Sequence, residues 1–359
     1  MQKKAIIAMS GGVDSSVAAY LMIQAGYDCA GATMKLYDKP QCSQPGDRSC
    51  CTPSDTEDAR NVAARLGILY YVFPMHEEFR HHVIDKFAST YLNGGTPNPC
   101  IDCNRRLKFE RLYHRAMELD CDYIATGHYV RRKELPDGTV MLYKAVDAEK
   151  EQSYVLYNMT QQQLQRTLFP LGELTKPQVR EIAEREGFLN AGKHDSQDIC
   201  FVPDGDYAAF IEEYTGKTYA PGPVLDTSGN RIGTHRGIIH YTIGQRKGLG
   251  LALGQPMYVK STDAEKNTVT LGRNEELFSH VVFGENLNWI AGALPEVPVP
   301  VTARVRYHGK DQPAMLHFLE NGCIRAEFQV PQRAVTPGQA IVFYDGDKML
   351  GGAEITGGQ

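Results

Sequence analysis

Two hydrophobic rhythms run along this chain, and the change from one to the other divides it. In the first part, short apolar runs stand apart from one another: Ala5 to Met9, Ala30 to Leu36, Leu69 to Phe73 and Tyr123 to Thr126. Runs this short and this apolar predict strands buried on both faces. Between them apolar residues recur at helical spacing. Val17, Leu21 and Met22 lead to Gly26, a C-cap signal, and residues 55–66 follow the same period. So do Phe79, Val83, Ile84, Phe87 and Tyr91, and then residues 107–119. Strand and helix in alternation predict an α/β fold with a doubly wound parallel sheet. Such sheets take ligands at the carboxyl ends of their strands, where Ser10, Met34 and Gly127 fall.

The rhythm then changes. Residues 129–145 predict a hairpin about Pro136-Asp137-Gly138, and residues 161–186 predict helical stretches broken at Pro170 and Pro177. Composition shifts near Val202-Pro203-Asp204-Gly205, and glycine is frequent up to Gly272. From Phe278 to Ile355 short strands alternate with turns at Asn321-Gly322, Thr336-Pro337-Gly338 and Asp345-Gly346-Asp347. That spacing predicts a small antiparallel β-barrel. The expected domains are residues 1–202, a small central α+β domain over 203–274, and a barrel over 275–359.

Chemistry enters at the first strand's end. Ala8-Met9-Ser10-Gly11-Gly12-Val13-Asp14-Ser15 joins a strand to a helix through a glycine turn. Backbone N–H groups and the positive helix end then converge on one point, which suits a phosphate. Glycine lets the main chain approach an anion closely, and serine hydroxyls add donors. No Gly-Lys-Ser/Thr follows, so this is not the kinase-type phosphate loop. Asp14 reads equally as a metal or hydrogen-bond partner and as plain helix N-terminal stabilisation.

Composition changes this picture little. The chain has 359 residues, 42% apolar and 23% charged, as in an ordinary globular protein. No apolar run approaches the roughly 20 residues of a bilayer span. Strand signals begin almost at Met1, so no signal peptide is visible, and a cytoplasmic location is expected. A net charge of −5 gives no global pull towards nucleic acid. Local basic groups remain, at Arg105, Arg106, Lys108, Arg111 and Arg115, and at Arg131, Arg132 and Lys133.

Nine cysteines, an odd number in a chain of cytosolic character, argue against a disulfide framework. Cys100 and Cys103 follow Thr96-Pro97-Asn98-Pro99 and precede the first basic group. Cys103 is expected just ahead of a helix, where dipole and arginines favour thiolate. Cys200 closes Ser196-Gln197-Asp198-Ile199-Cys200. Three arrangements are open: a Cys103–Cys200 redox pair handling sulfur, an iron–sulfur cluster on Cys100, Cys103 and Cys200, or a Cys100–Cys103 pair that is half of a zinc site or inert. Cys29, Cys121 and Cys323 read as core residues. Cys42, Cys50 and Cys51 lie in a polar stretch that reads as surface loop. His194 and Asp195 read as proton-transfer helpers for Cys200 or as structural groups.

Taken together these segments resemble the tRNA-specific 2-thiouridylases. The carrying residues are Ser10 to Ser15, Thr96 to Pro99, Cys103-Asn104, Ala125 to Tyr129, Lys150 to Tyr154, His194 to Cys200, Tyr241 to Arg246, and Arg306-Tyr307. The likeness spans nearly the whole chain. It implies an ATP-pyrophosphatase catalytic domain and a C-terminal barrel that helps hold tRNA. It implies ATP contacts at residues 8–15, Met34 and Gly127, with Mg²⁺ on the phosphates. It implies Cys103 as nucleophile and Cys200 as persulfide carrier, resolved through a transient disulfide. It places Asn98, Pro99 and Cys100 at the target base. His128, Lys150, Glu151, Gln152, Arg306, Tyr307 and Gln339 fall at tRNA-contacting positions. A sulfur-donor protein or sulfide source is the implied second partner. Cys100 departs from the pattern, since many members carry aspartate there, and the departure favours a [4Fe-4S] reading over a general base. Two other functions fit parts of the chain: an amide-forming ATP pyrophosphatase of the NAD or GMP synthetase type, and a non-catalytic metal-binding RNA regulator.

Overall fold

The computed structural model describes residues 2–37, 53–193, 199–202, 204–252 and 254–359. Strands β1 (Lys4–Ala8), β2 (Asp28–Lys35), β3 (Leu69–Pro74) and β4 (Tyr123–Thr126) match the four apolar runs. They lie parallel in the order β3-β2-β1-β4. The chain winds outwards from β1 to β3, then returns to place β4 on the other flank of β1. The crevice between β1 and β4 is therefore the switch point, and it receives both Ser10 and Gly127. Helices α1 (Val13–Gln24) and α2 (Pro53–Leu66) cover one face with Ala5, Ile7, Val17 and Val62. Ile6, Ile124 and Met34 face the other side, against the helical run 76–92 and residues 99–118.

The strand β5 (Val130–Glu134) and strand β6 (Val140–Lys144) form the expected hairpin, yet it leaves the parallel sheet. It joins the C-terminal sheet through Tyr143 opposite Lys348. Val130, Val140 and Leu142 are buried there on one face and Met141 on the other, so both faces of the hairpin serve the link between domains. A two-residue strand, β7 (Thr167–Leu168), takes the vacated place beside β4. The segment is too short to carry a sequence rhythm. Pro177 does not break a helix: the helix is Lys176–Arg185, with Thr175 as N-cap and proline in the first turn. Proline's missing N–H costs nothing there.

The central part holds helix Tyr207–Thr215 and strands β8 (Gly222–Leu225), β9 (Arg231–His235), β10 (Tyr258–Asp263) and β11 (Thr268–Gly272). It shares the core of the 76–92 run: Tyr207 stacks on Tyr91 at 4.9 Å. Strands β12 (Phe278–Trp289), β13 (Val299–Arg304), β14 (Gln312–Phe318), β15 (Ile324–Arg333), β16 (Ala340–Asp345) and β17 (Lys348–Gly358) follow. They pair antiparallel in the order β12-β15-β14-β13-β16-β17, and β12 pairs with β17 to close the barrel. Closure removes free edges, which is how so many short strands become stable. Among the described residues, no helix is long and apolar enough to cross a membrane.

Candidate functional site

The turn after β1 has the geometry its residues require. Gly11 sits at φ +78°, and a Cβ there would strike the Asp55 backbone carbonyl. Glycine is thus forced by both conformation and space. Ser15 Oγ donates to the Gly12 carbonyl at 2.9 Å and accepts from the Ser10 N–H at 3.2 Å, closing the loop on itself. Thr33 Oγ1 holds the Met9 carbonyl at 2.6 Å, tying the loop to β2. Gly127 lies so close to α1 that a Cβ would come within 2.9 Å of the Ser15 nitrogen. Ala8 to Ser15 and Gly127 therefore meet at the switch point. Met34 is buried near the end of β2 on the face opposite α1.

Asp14 is committed to protein partners. Its carboxylate accepts from Lys176 Nζ at 2.7 and 2.8 Å and from Tyr129 Oη at 2.7 Å. Lys193 Nζ meets Asp55 at 2.5 Å and Asp58 at 2.7 Å, within 3.4 Å of the Gly11 carbonyl. Asn190 Nδ2 donates to the Gly11 carbonyl and to Ser16 Oγ, each at 2.9 Å. Residues 176–193 thus brace the loop from outside.

The thiols lie differently from expectation. Cys103 is not ahead of a helix but inside the helical stretch 99–118, which starts at Pro99 with Asn98 as N-cap. Proline at the first position begins the helix earlier than the apolar period does. Cys100, in the first turn, takes the place near the helix end and is exposed, whereas Cys103 and Cys200 are half-buried. Cys103 and Cys200 pack against one apolar cluster, the one containing Met34. Phe201 meets Phe79 and Phe87 edge-on at 5.6 and 5.1 Å, and Tyr37 Oη donates to the Cys200 carbonyl at 2.6 Å. Tyr37 follows β2, so Cys200 is held at the carboxyl edge of the sheet.

Among the described residues, no group of three or more His, Cys, Asp or Glu is placed to hold a metal ion. The described residues therefore show neither the [4Fe-4S] nor the zinc arrangement. Burial lifts the Cys29 thiol to about 11 and raises Cys121 as well, as expected for inert core thiols. Cys323 departs from its core expectation and is partly exposed, because it precedes β15 at a turn. Cys42, Cys50, Cys51, His194 and Asp195 lie outside the described residues.

The expected RNA-facing residues form three groups. Asn98 and Gln339 line one recess between the 99–118 stretch and the barrel, with Lys86, Asp102, Asn158 and Glu354. Lys86 Nζ bonds both Asp102 and Glu354 at 3.1 Å, and Gln339 donates to the Thr96 carbonyl at 2.8 Å. Burial pushes the Asp102 carboxyl upwards, and Lys86 opposes that shift. Pro99 is buried close by. The second group is a strut. Buried Glu151 accepts from Arg304 at 3.1 Å, Gln152 accepts from the Tyr129 N–H at 2.9 Å, and Lys150 is half-buried beside them. His128 lies beneath it, buried against Phe109 and Phe169 with Nδ1 2.8 Å from Thr126 Oγ1; burial holds its imidazole well below its ordinary value. Third, Arg306 and Tyr307 lie on the loop after β13, where Tyr307 Oη donates to the Glu151 carbonyl at 3.3 Å.

Comparison with known proteins agrees with this layout. Residues 3–204 match the family description "tRNA methyl transferase HUP domain", residues 208–273 its PRC-barrel domain, and residues 279–355 "Aminomethyltransferase beta-barrel domain". The chain is 49% identical over 354 residues to tRNA-specific 2-thiouridylase MnmA of Lachnoclostridium phytofermentans, covering 98% of this chain and 99% of that protein. It is 47% identical over 356 residues to the protein of the same name from Clostridioides difficile, covering 99% and 98%. This chain belongs to the tRNA-specific 2-thiouridylase family. A solved 4-thiouridine synthetase–RNA complex with bound ATP overlaps weakly, at 17% identity, TM-score 0.38, and 59% and 50% coverage. That overlap assigns nothing to the chain.

Within this 2-thiouridylase fold, sequence reading missed Lys176, Asn190, Lys193 and Asp55. Each sits far from the glycine turn in sequence and carries no spacing signal. The capping pattern Thr175-Lys176-Pro177-Gln178 was the one available hint, since it places Lys176 at a helix start.

Proposed function

We propose that this chain is an ATP-dependent tRNA 2-thiouridylase acting on the wobble uridine. One observation carries the reading: Cys103 and Cys200, far apart in sequence, pack against the same apolar cluster, which also holds Met34 near the end of β2. Uracil C2 is a poor electrophile and its oxygen a poor leaving group. Transfer of AMP to that oxygen remedies both and releases pyrophosphate. The N–H groups of residues 10–15 and the α1 terminus receive the phosphates, with Mg²⁺ arriving on the ATP itself. Asp14 keeps the loop in shape through Lys176 rather than reaching for the metal.

In this reading Cys200 carries a persulfide. The Cys103 thiolate attacks the inner sulfur, forming a Cys103–Cys200 disulfide and releasing hydrosulfide. Hydrosulfide adds to C2, AMP departs, and a dithiol reductant restores both thiols. A sulfur-donor protein charges Cys200 beforehand by passing the outer sulfur of its own persulfide to the Cys200 thiolate and keeping its own thiol; a sulfide source would instead supply hydrosulfide to C2 directly. The wobble base leaves its stack to reach the site, as base-modifying enzymes require. Asn98 to Cys100 meet that base, and His128, Lys150 to Gln152, Arg306, Tyr307 and Gln339 hold the RNA or the elements that touch it. The reaction takes place in the cytoplasm, where tRNA is found. The domains divide the work at residues 202–203 and 274–275.

Cys200→Ser tests the carrier role. With persulfide as the only sulfur source, thiolation falls to background while ATP affinity is unchanged. Continued thiolation by that variant would overturn the assignment.

A further inference from the structure

The barrel carries a surface cavity of about 250 Å³ between the loop after β13 and the end of β15. Its lining includes Arg306, Lys310, Arg333, Gln312 and Gln332, and no carboxylate. The neighbouring cations are treated quite differently. Arg304 is paired with Asp311 at 2.7 Å and Glu151 at 3.1 Å, and Lys144 with Asp311 at 2.5 Å. Among the described residues, the acidic groups nearby are thus taken by Arg304 and Lys144, and Arg306, Lys310 and Arg333 have no ion pair.

The two arginines are also fixed in place. Arg306 donates to the backbone carbonyls of Arg333 and Ala334. Arg333 Nε donates to Asn274 at 3.0 Å, and its guanidinium lies 5.0 Å from the Tyr258 ring. Burial and the facing Arg333 charge hold the Arg306 guanidinium below its ordinary value, so an anion between them would relieve the site. Gly309 keeps the mouth clear, since a Cβ would press within 3.0 Å of the Arg306 side chain. Lys310 stands exposed at the rim. Held arginine forks with an uncompensated positive rim match phosphate oxygens at small entropic cost.

We infer that this cavity is a seat for one RNA backbone phosphate, in which Lys310 and Arg333 act with Arg306. It rests on the tRNA reading above and extends it to two residues and to a defined chemistry. Asn274 and Tyr258 belong to the central part of the chain, so the seat also fixes that part against the barrel when RNA is bound. A phosphate contact of this kind sets register on the RNA and reads no base.

The test is tRNA affinity across a salt series for the full chain and for Lys310→Glu, Lys310→Arg and Arg333→Gln, with ATP affinity as control. Lys310→Glu is expected to weaken binding about tenfold and to lower the salt slope by about one unit. Lys310→Arg restores both, and ATP affinity does not change. Arg333→Gln behaves like Lys310→Glu. Wild-type tRNA affinity and slope in Lys310→Glu would overturn the seat while leaving the tRNA reading intact. Failure of the unaltered chain to bind tRNA would instead overturn that reading. Calorimetric titration with inorganic phosphate separates the sources: tight phosphate binding abolished in Lys310→Glu would assign the cavity to a small free anion and overturn the RNA proposal.

Discussion

The loop after β1 and the cavity on the barrel both suit phosphate, yet they manage charge in opposite ways. Among the described residues, the charged side chains at the loop are already paired: Asp14 with Lys176, and Lys193 with Asp55 and Asp58. The attraction left for an anion comes from backbone N–H groups and the helix end. At the barrel cavity, among the described residues, three cations stand without carboxylates. The loop suits a ligand that brings its own countercharge, such as magnesium-bound ATP, and must let pyrophosphate leave. The cavity suits a polyanion whose counterions are released on binding.

Removing one partner at the loop makes it resemble the cavity. Lys176→Met leaves Asp14 without its cation. The Lys176 side chain is 9% exposed and that of Asp14 31%. The loss is therefore set at the low end for a buried pair, about 3 kcal/mol of unfolding free energy in urea. ATP affinity drops with it, and an unchanged midpoint would show that the pairing does not shape the loop. Gly11→Ala acts on the loop's backbone instead of its charge. Positive φ and the Asp55 carbonyl together cost on the order of 2 kcal/mol, with weakened ATP binding in equilibrium dialysis. Full ATP affinity in that variant would mean the close approach is dispensable.

The smallest effect concerns His128, next to Gly127, where a titratable group is kept neutral by burial rather than paired. Its folded value lies well below the unfolded one near 6.5. The unfolded chain then binds the proton more readily, so this group's contribution is complete above about pH 6.5 and declines as pH falls. The slope is at most about 1.4 kcal/mol per pH unit. His128→Gln removes that part of the acid slope in urea unfolding measured at several pH values. Parallel curves for the two proteins would contradict the buried neutral imidazole.

How much of this was legible beforehand varies with range. The four buried strands were readable because each is an uninterrupted apolar run, and the glycine turn because strand, turn and helix lie within a dozen or so residues. The hairpin at 130–144 was legible as a hairpin but not as part of the barrel's sheet, since that depends on Tyr143 meeting Lys348. Cys103's helix was placed too late because Pro99, which starts it, reads locally as an extended residue. Lys176 and Lys193 were invisible as loop braces: a lone lysine has no spacing signature, and only the fold brings each to its carboxylate. Arg306 was noticed through family likeness, whereas Lys310 and Arg333 needed the cavity to be seen.

The most direct measurement of the central claim is the stoichiometry of a single reaction. Unaltered protein, ATP, wobble-unmodified tRNA and a persulfide source are combined, and pyrophosphate, AMP and 2-thiouridine are quantified together. The account predicts equal amounts of all three, with none formed when tRNA is left out. Pyrophosphate released without tRNA, or in the presence of ammonia and a carboxylate acceptor with no thiouridine appearing, would contradict it and point to an amide-forming enzyme instead.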